Sequence, residues 1–160
     1  MKNFIILLLT CSALYAQTSA VALYEESQKA LSVGNIELAG EKMRAAIEAD
    51  KSNEKFRAEF DKLNNLRNKR NNANRAVQDG RFDDAIQGFG DVLQSVPNSA
   101  ESLYGTGKAY EGKKEFMTAV DFYKKSLQVD SGYDKSKKSI SNVAKKLYNC
   151  LLYTSDAADD

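Results

Sequence analysis

The sequence predicts an all-α fold, a right-handed superhelix of stacked helical hairpins with one extended helix, and three observations carry this prediction. Two segments thirty-four residues apart, GRFDDAIQGF at 80–89 and KEFMTAVDFY at 114–123, share one order of aromatic, small and aliphatic residues. Apolar residues recur at steps of three and four, as on one face of a helix. The chain of 160 residues has a single proline, Pro97. A fixed period of this length is typical of an array of helix pairs that stack side by side.

The first sixteen residues have the pattern of a secretory signal peptide. Lys2 precedes the apolar run 4–9, and small residues follow as far as Ala16. The run is too short to span a bilayer, so we expect cleavage after Ala16 and an exported, periplasmic or envelope-associated protein. In an alternative interpretation Cys11 carries a lipid anchor. Thr10 in front of it fits a lipoprotein signal poorly, and we expect no anchor.

The last eleven residues, 150–160, break off from the Lys-, Asn- and Ser-rich segment before them. Each residue of CLLYTSDAADD matches, in one reading frame, the translation of a transposon adapter used in sequencing libraries. We therefore interpret these residues as an adapter-derived scar, and we expect the natural protein to continue past Asn149.

Residues 17–149 carry 22 basic and 19 acidic residues, a net charge of +3. They contain no cysteine, and the whole chain has no histidine, so this segment has no thiol nucleophile and no thiolate metal site. The close acidic pair Asp83–Asp84 is predicted to cap a helix start. The lysines at 135, 137, 138, 145 and 146 lack the interleaved aromatics of a nucleic-acid surface. The composition predicts a protein without enzymatic activity, cofactor, metal or nucleic-acid partner.

The repeated segments resemble the tetratricopeptide repeat (TPR) family. The best copy spans 100–133, and its marker residues are Leu103, Gly107, Tyr110, Phe116, Ala119, Tyr123 and Leu127. Two further copies are expected at 20–53 and 66–99, with a partial copy at 134–149. The resemblance implies that small residues let paired helices approach closely while aromatics fill the space between them.

One interval departs from the period. Gly34 and Gly80 lie forty-six residues apart, twelve more than one repeat, and the additional residues 54–65 keep the helical spacing of apolar residues. Three helical turns take about eleven residues, so the insertion lengthens one helix with little rotation of its face. We predict one helix from about Asn53 to Gln78. The alternative is a break near Asn64–Asn65.

The resemblance also implies that the first helix of each pair lines a concave, peptide-binding groove. The groove residues mapped in this way are Arg67, Arg70, Asn71, Asn74, Gln78, Tyr104, Lys108, Lys135, Lys138 and Asn142, with Glu111, Lys145 and Lys146 beside them. Amide side chains can bind a peptide backbone from both donor and acceptor ends, and the cations favour acidic groups. The alternative is that these side chains are only the solvated face of amphipathic helices.

Family members that bind acidic chaperone tails use five polar groove positions. Arg70, Asn74 and Lys135 occupy three of them, but Gly105 and Ser139 occupy the other two and cannot supply the contacts, so we do not expect that clamp. The sequence thus predicts an exported bacterial scaffold that binds a protein or peptide, an acidic segment being one candidate. The alternatives are an adaptor region of a larger protein, whose missing part carries an enzymatic, peptidoglycan-binding or signalling function, and self-association through an unfinished end repeat.

Overall fold

A computed structural model describes the backbone of residues 19–156 and the side chains of residues 19–149. All regular elements in this part are α-helices, so the predicted all-α class is confirmed. The predicted signal peptide and Cys11 lie outside the described residues. The seven helices are α1 (19–32), α2 (Ile36–Ala49), α3 (Glu54–Gln78), α4 (Phe82–Ser95), α5 (Ala100–Gly112), α6 (Phe116–Val129) and α7 (Asp134–Asp156).

The chain divides into two compact units, and the boundary falls between Asn68 and Lys69, within α3. The N-terminal unit contains α1, α2 and the first half of α3. The C-terminal unit contains the second half of α3 and the four helices that follow. The sequence predicted one array over 17–149, because the helical pattern runs through this boundary without interruption.

The extended helix is confirmed, and the alternative break near Asn64–Asn65 is wrong. The carboxamide oxygen of Asn53 accepts a hydrogen bond from the backbone N–H of Phe56 at 3.3 Å, as expected of a residue that caps a helix start. The inserted turns bury Phe56 and Leu63 in the core of the N-terminal unit. The ring of Tyr24 from α1 stacks on Phe56 with 5.0 Å between ring centroids. The insertion therefore supplies a third packed helix to this unit.

In the C-terminal unit, each helix from α4 to α7 contacts the next one along the chain. The contacts depend on glycines that lie beneath aromatic rings. A Cβ atom added to Gly105 would lie 2.3 Å from Cζ of Phe89, and one added to Gly107 would lie 2.5 Å from Cε1 of Tyr123. Both rings are fully buried. The absent glycine side chains thus provide the space that these two rings fill.

The turns inside three hairpins close in the same way. Gly34, Gly80 and Lys114 have φ values of 81°, 75° and 65°. In each turn the next residue donates its N–H to the carbonyl five residues earlier, as Glu115 does to Tyr110 at 3.0 Å. This is the Schellman ending of a helix, which favours glycine because the left-handed backbone crowds a Cβ atom. Lys114 adopts this backbone without the freedom of glycine.

We expect Lys114→Gly to stabilise the C-terminal unit by about 0.5–1 kcal/mol, because it removes left-handed strain that exceeds the added freedom of the unfolded chain. Urea unfolding followed by circular dichroism measures the change. Gly80→Ala is the control with the opposite change, because it adds a Cβ atom to a left-handed residue. Open space surrounds that Cβ position, so backbone strain alone should lower the stability of this variant. A lower midpoint for Lys114→Gly would contradict this explanation.

We expect Gly105→Ala to destabilise the chain by about 1–3 kcal/mol, because the new methyl group overlaps a ring that is closely packed on every side. Thermal unfolding measures the loss, and Phe89→Leu in the same variant should recover part of it. Gly90→Ala is the control, since nothing lies within 4 Å of its Cβ position and alanine favours the helix. Equal losses for the two alanine variants would reject the packing argument.

Candidate groove site

Side chains from α5 and α7 form one polar face in the C-terminal unit, here called the groove face. At 100° per residue, Glu101, Tyr104, Lys108 and Glu111 lie within about 80° of one another around α5. On α7, Lys135, Ser139, Asn142 and Lys146 lie within about 60°. An ion pair of 2.8 Å between Lys146 Nζ and Glu111 Oε1 joins the two rows. From the second half of α3, Arg70 reaches the same face through its ion pair with Glu101, and Asn74 lies one helical turn after Arg70.

Glu111 is the electrostatic centre of the groove face. Its side chain is only 8% exposed and accepts three hydrogen bonds: from Lys146 at 2.8 Å, from Lys108 at 3.0 Å and from the Tyr123 hydroxyl at 2.6 Å. Burial alone would raise the pKa of Glu111. The hydrogen bonds from Lys146, Tyr123 and Lys108 outweigh burial and hold the pKa at about 2. This carboxylate therefore stays ionised and ties α5, α6 and α7 together.

The same interaction shifts Tyr123. Burial first, and then its hydrogen bond to the Glu111 carboxylate, raise the pKa of this phenol well above its ordinary value. Tyr123 therefore remains a neutral donor at every pH at which the protein is handled. Its ring lies 5.6 Å from that of Tyr104, and Tyr104 also meets Tyr133 edge-on at 5.6 Å. These rings form the apolar wall beside the polar groups.

Arg70 does not present a free charge to solvent. Its side chain is 4% exposed, and its Nη1 lies 2.9 Å from Oε2 of Glu101, which is 40% exposed. A buried guanidinium needs such a partner, so this pair is best explained as a structural link between α3 and α5. Arg67 lies in the N-terminal unit, where it pairs with Glu37 at 3.1 Å. Two of the mapped cations are thus neutralised by carboxylates of their own units.

The remaining mapped residues differ in exposure. Asn71, Asn74, Tyr104 and Lys108 are half-buried, whereas Gln78, Lys135, Lys138 and Asn142 are exposed. Lys138 lies about 80° around α7 from Lys146, at the margin of the groove face. Sequence reasoning mapped Glu111 but missed its role as a shared partner, and it missed Glu101. The three-residue spacing of Lys108 and Glu111 was the one available signal.

The groove face is less basic than the sequence indicated. Four cations, Arg70, Lys108, Lys135 and Lys146, face two carboxylates, Glu101 and Glu111. In the part of the chain that the structure describes, no group of three or more Cys, Asp or Glu side chains is placed to hold a metal ion. Among the same residues no helix is long and apolar enough to cross a membrane.

A concavity of about 510 Å³ lies between the second half of α3 and α4. Its lining contains none of the mapped groove residues; it consists of Lys69, Asn72, Ala73, Arg75, Ala76, Asp79, Arg81, Asp84 and Gly88. Arg81 pairs with Asp84 at 2.8 Å and with Asp79 at 3.0 Å, and Lys113 pairs with Asp83 at 2.8 Å. The acidic pair at the start of α4 is thus bound to neighbouring cations.

No protein-family model matches this chain, and no curated protein matches it. The solved N-terminal domain of stress-induced protein-1 (STI-1) from C. elegans is similar over 81% of this chain and 97% of its own, with 18% identity and a TM-score of 0.43. The TPR domain of P58(IPK) is similar over 82% of this chain, with 16% identity and a TM-score of 0.40. This chain spans 47% of that second structure.

We expect Glu111→Gln to make the free energy of unfolding less dependent on pH under acidic conditions. The folded pKa of about 2 lies below the ordinary 4.5, so this carboxylate stabilises the fold above pH 4.5 and loses that effect as the pH falls towards 2. The wild type should therefore lose about 2–3 kcal/mol more than the variant across this window. Urea unfolding at several pH values measures the difference.

Asp121→Asn is the matched control, since Asp121 is an exposed carboxylate on α6 of the same unit. Its pH profile should run parallel to that of the wild type. Parallel profiles for Glu111→Gln and the wild type would show that Glu111 has no such role.

Proposed function

We propose that this protein is a non-enzymatic scaffold of the bacterial cell envelope, and that its groove face holds an extended segment of a partner protein. The observation that carries the proposal is the convergence of α3, α5 and α7 on one polar face, joined by the Arg70–Glu101 and Glu111–Lys146 pairs. These helices are separated in sequence, yet they present amides, an aromatic wall and lysine donors together. Such a combination suits a peptide better than a small apolar ligand.

The chemistry of the groove face supports an extended backbone as ligand. The carboxamides of Asn74 and Asn142 can each donate to a peptide carbonyl and accept from a peptide N–H. The half-buried ring of Tyr104 offers apolar contact on the groove face. Because Tyr104 packs on Tyr123 and Tyr133, its ring is already fixed, and binding loses little side-chain entropy there.

The N-terminal sequence supports the envelope location. The charge, apolar run and small residues of 1–16 have the order of an export signal. The segment 17–149 contains no cysteine, so its folding is independent of the oxidising conditions outside the cytoplasm. Both features suit an exported scaffold.

Selection of peptides from a random display library against the purified chain tests this proposal. We expect enriched sequences to bind with micromolar dissociation constants, because the groove face is polar and open. Asn142→Ala should weaken them severalfold. Gln128→Ala, which removes an exposed amide on α6, should leave them unchanged. Failure to enrich any peptide, or equal effects of the two substitutions, would reject a groove that binds peptides.

A further inference from the structure

We infer that Lys108 and Lys146, held side by side by Glu111, form a subsite for the carboxylate of an aspartate or glutamate side chain in the bound segment. This inference rests on the proposed peptide-binding function, and it names the chemistry of one contact. Of the cations that the sequence mapped, it selects Lys108 and pairs it with the neighbouring Lys146.

The geometry brings two ammonium groups from different helices to one carboxylate. Lys108 reaches Oε2 of Glu111 along α5, and Lys146 reaches Oε1 from α7. Each ammonium has three N–H donors, and Glu111 engages one donor of each in these contacts. The lysine side chains are 38% and 54% exposed, whereas that of Glu111 is 8% exposed. The anchoring carboxylate is therefore buried, and the lysines remain accessible from solvent.

The charge of this cluster favours one additional anion. Glu111 accepts from Lys108, Lys146 and Tyr123, so its own acceptor capacity is largely used. One buried negative charge between two lysines leaves a net charge of +1. A single ligand carboxylate brings this charge to zero and receives charge-assisted hydrogen bonds from both lysines. Glu111 also reduces the repulsion that would otherwise drive the two ammonium groups apart.

The other cations of the groove face are less suited to this task. Arg70 is buried and paired with Glu101, so its charge is already compensated. Lys135 is exposed near the start of α7, where the described residues give it no anchoring carboxylate. Its long side chain would lose more entropy on binding than the two lysines held by Glu111. Preorganisation therefore favours Lys108 and Lys146 as the acid-binding pair.

The neighbouring side chains define how a peptide continues from the subsite. Tyr104 lies one turn before Lys108 on α5, and Asn142 lies one turn before Lys146 on α7. An acidic side chain at the subsite would place the adjoining backbone beside the Asn142 amide and the Tyr104 ring. The structure thus favours a segment with an acidic residue next to an apolar one.

The test uses the purified chain and a fluorescent hexaglutamate peptide with both ends blocked, so that only side-chain carboxylates are available. Anisotropy is measured at about 50 mM salt, where screening is moderate. We expect Lys108→Met and Lys146→Met each to weaken binding about 3- to 10-fold. Lys146→Arg keeps the charge and should keep most of the affinity. A blocked hexaglutamine peptide, which keeps the backbone and lacks the carboxylates, should bind at least 10-fold more weakly.

The sequence placed Lys145 beside the groove, but this residue points about 100° away from Lys146 around α7 and lies outside the groove face. Lys145→Met is therefore the matched control, because it removes the same charge from the adjacent position. It should weaken binding less than 2-fold. Glu111→Gln separates the effect of lysine positioning from the effect of net charge. This variant lacks one negative charge, so it would bind the acidic peptide more tightly if only net charge mattered. We expect it to bind more weakly because the lysines lose their shared anchor. Thermal melting of each variant shows that the fold is kept.

Two results would overturn the subsite. One is equal weakening by Lys145→Met and Lys146→Met, which indicates unspecific attraction. The other is selection of groove-binding peptides that lack acidic residues and are insensitive to Lys146→Met; the scaffold function would then stand without this subsite. If neither hexaglutamate nor any selected peptide binds, the proposed function fails as well.

Discussion

The close approach of glycine backbone to aromatic rings is the constraint on which the rest of the C-terminal unit depends. Phe89 and Tyr123 occupy space that a Cβ atom at Gly105 or Gly107 would need. Because protein interiors are densely packed, these contacts leave little freedom in the separation of neighbouring helices. The position of Tyr123 also places its hydroxyl 2.6 Å from Glu111. Tyr123 therefore belongs both to the packed core and to the polar network around Glu111. Core packing thus also sets the position of the polar side chains on the groove face.

The long helix α3 carries the insertion and packs into both units. Twelve additional residues turn a helix by about 1200°, which is three full turns and about 120° more. The small rotation expected from the sequence is therefore wrong, and the buried residues within the insertion and after it lie on different sides of α3. Phe56 and Leu63 pack into the N-terminal unit, while Ala73 and Ala76 pack into the C-terminal unit. One continuous helix therefore contributes to two cores.

Most charged side chains of the groove face lie in ion pairs with other side chains of the same unit. Glu101 compensates Arg70, and Glu111 gathers Lys108 and Lys146. Each of these pairs joins one buried side chain to one that is more exposed, so the desolvation cost of the pair falls mainly on the buried group. Fixing lysines before a ligand arrives lowers the entropy lost on binding.

The sequence by itself determined the helical class and the extended helix that ends near Gln78, because period and apolar spacing are local properties of the chain. It also located the small residues beneath aromatics. Only the tertiary structure decided which charges meet: Glu111 and Lys146 lie thirty-five residues apart, and repeat spacing gives the face of a residue but not the reach of its side chain. The sequence also did not reveal the unit boundary within α3. The helical pattern continues through Asn68 and Lys69, and only the packing partners change there.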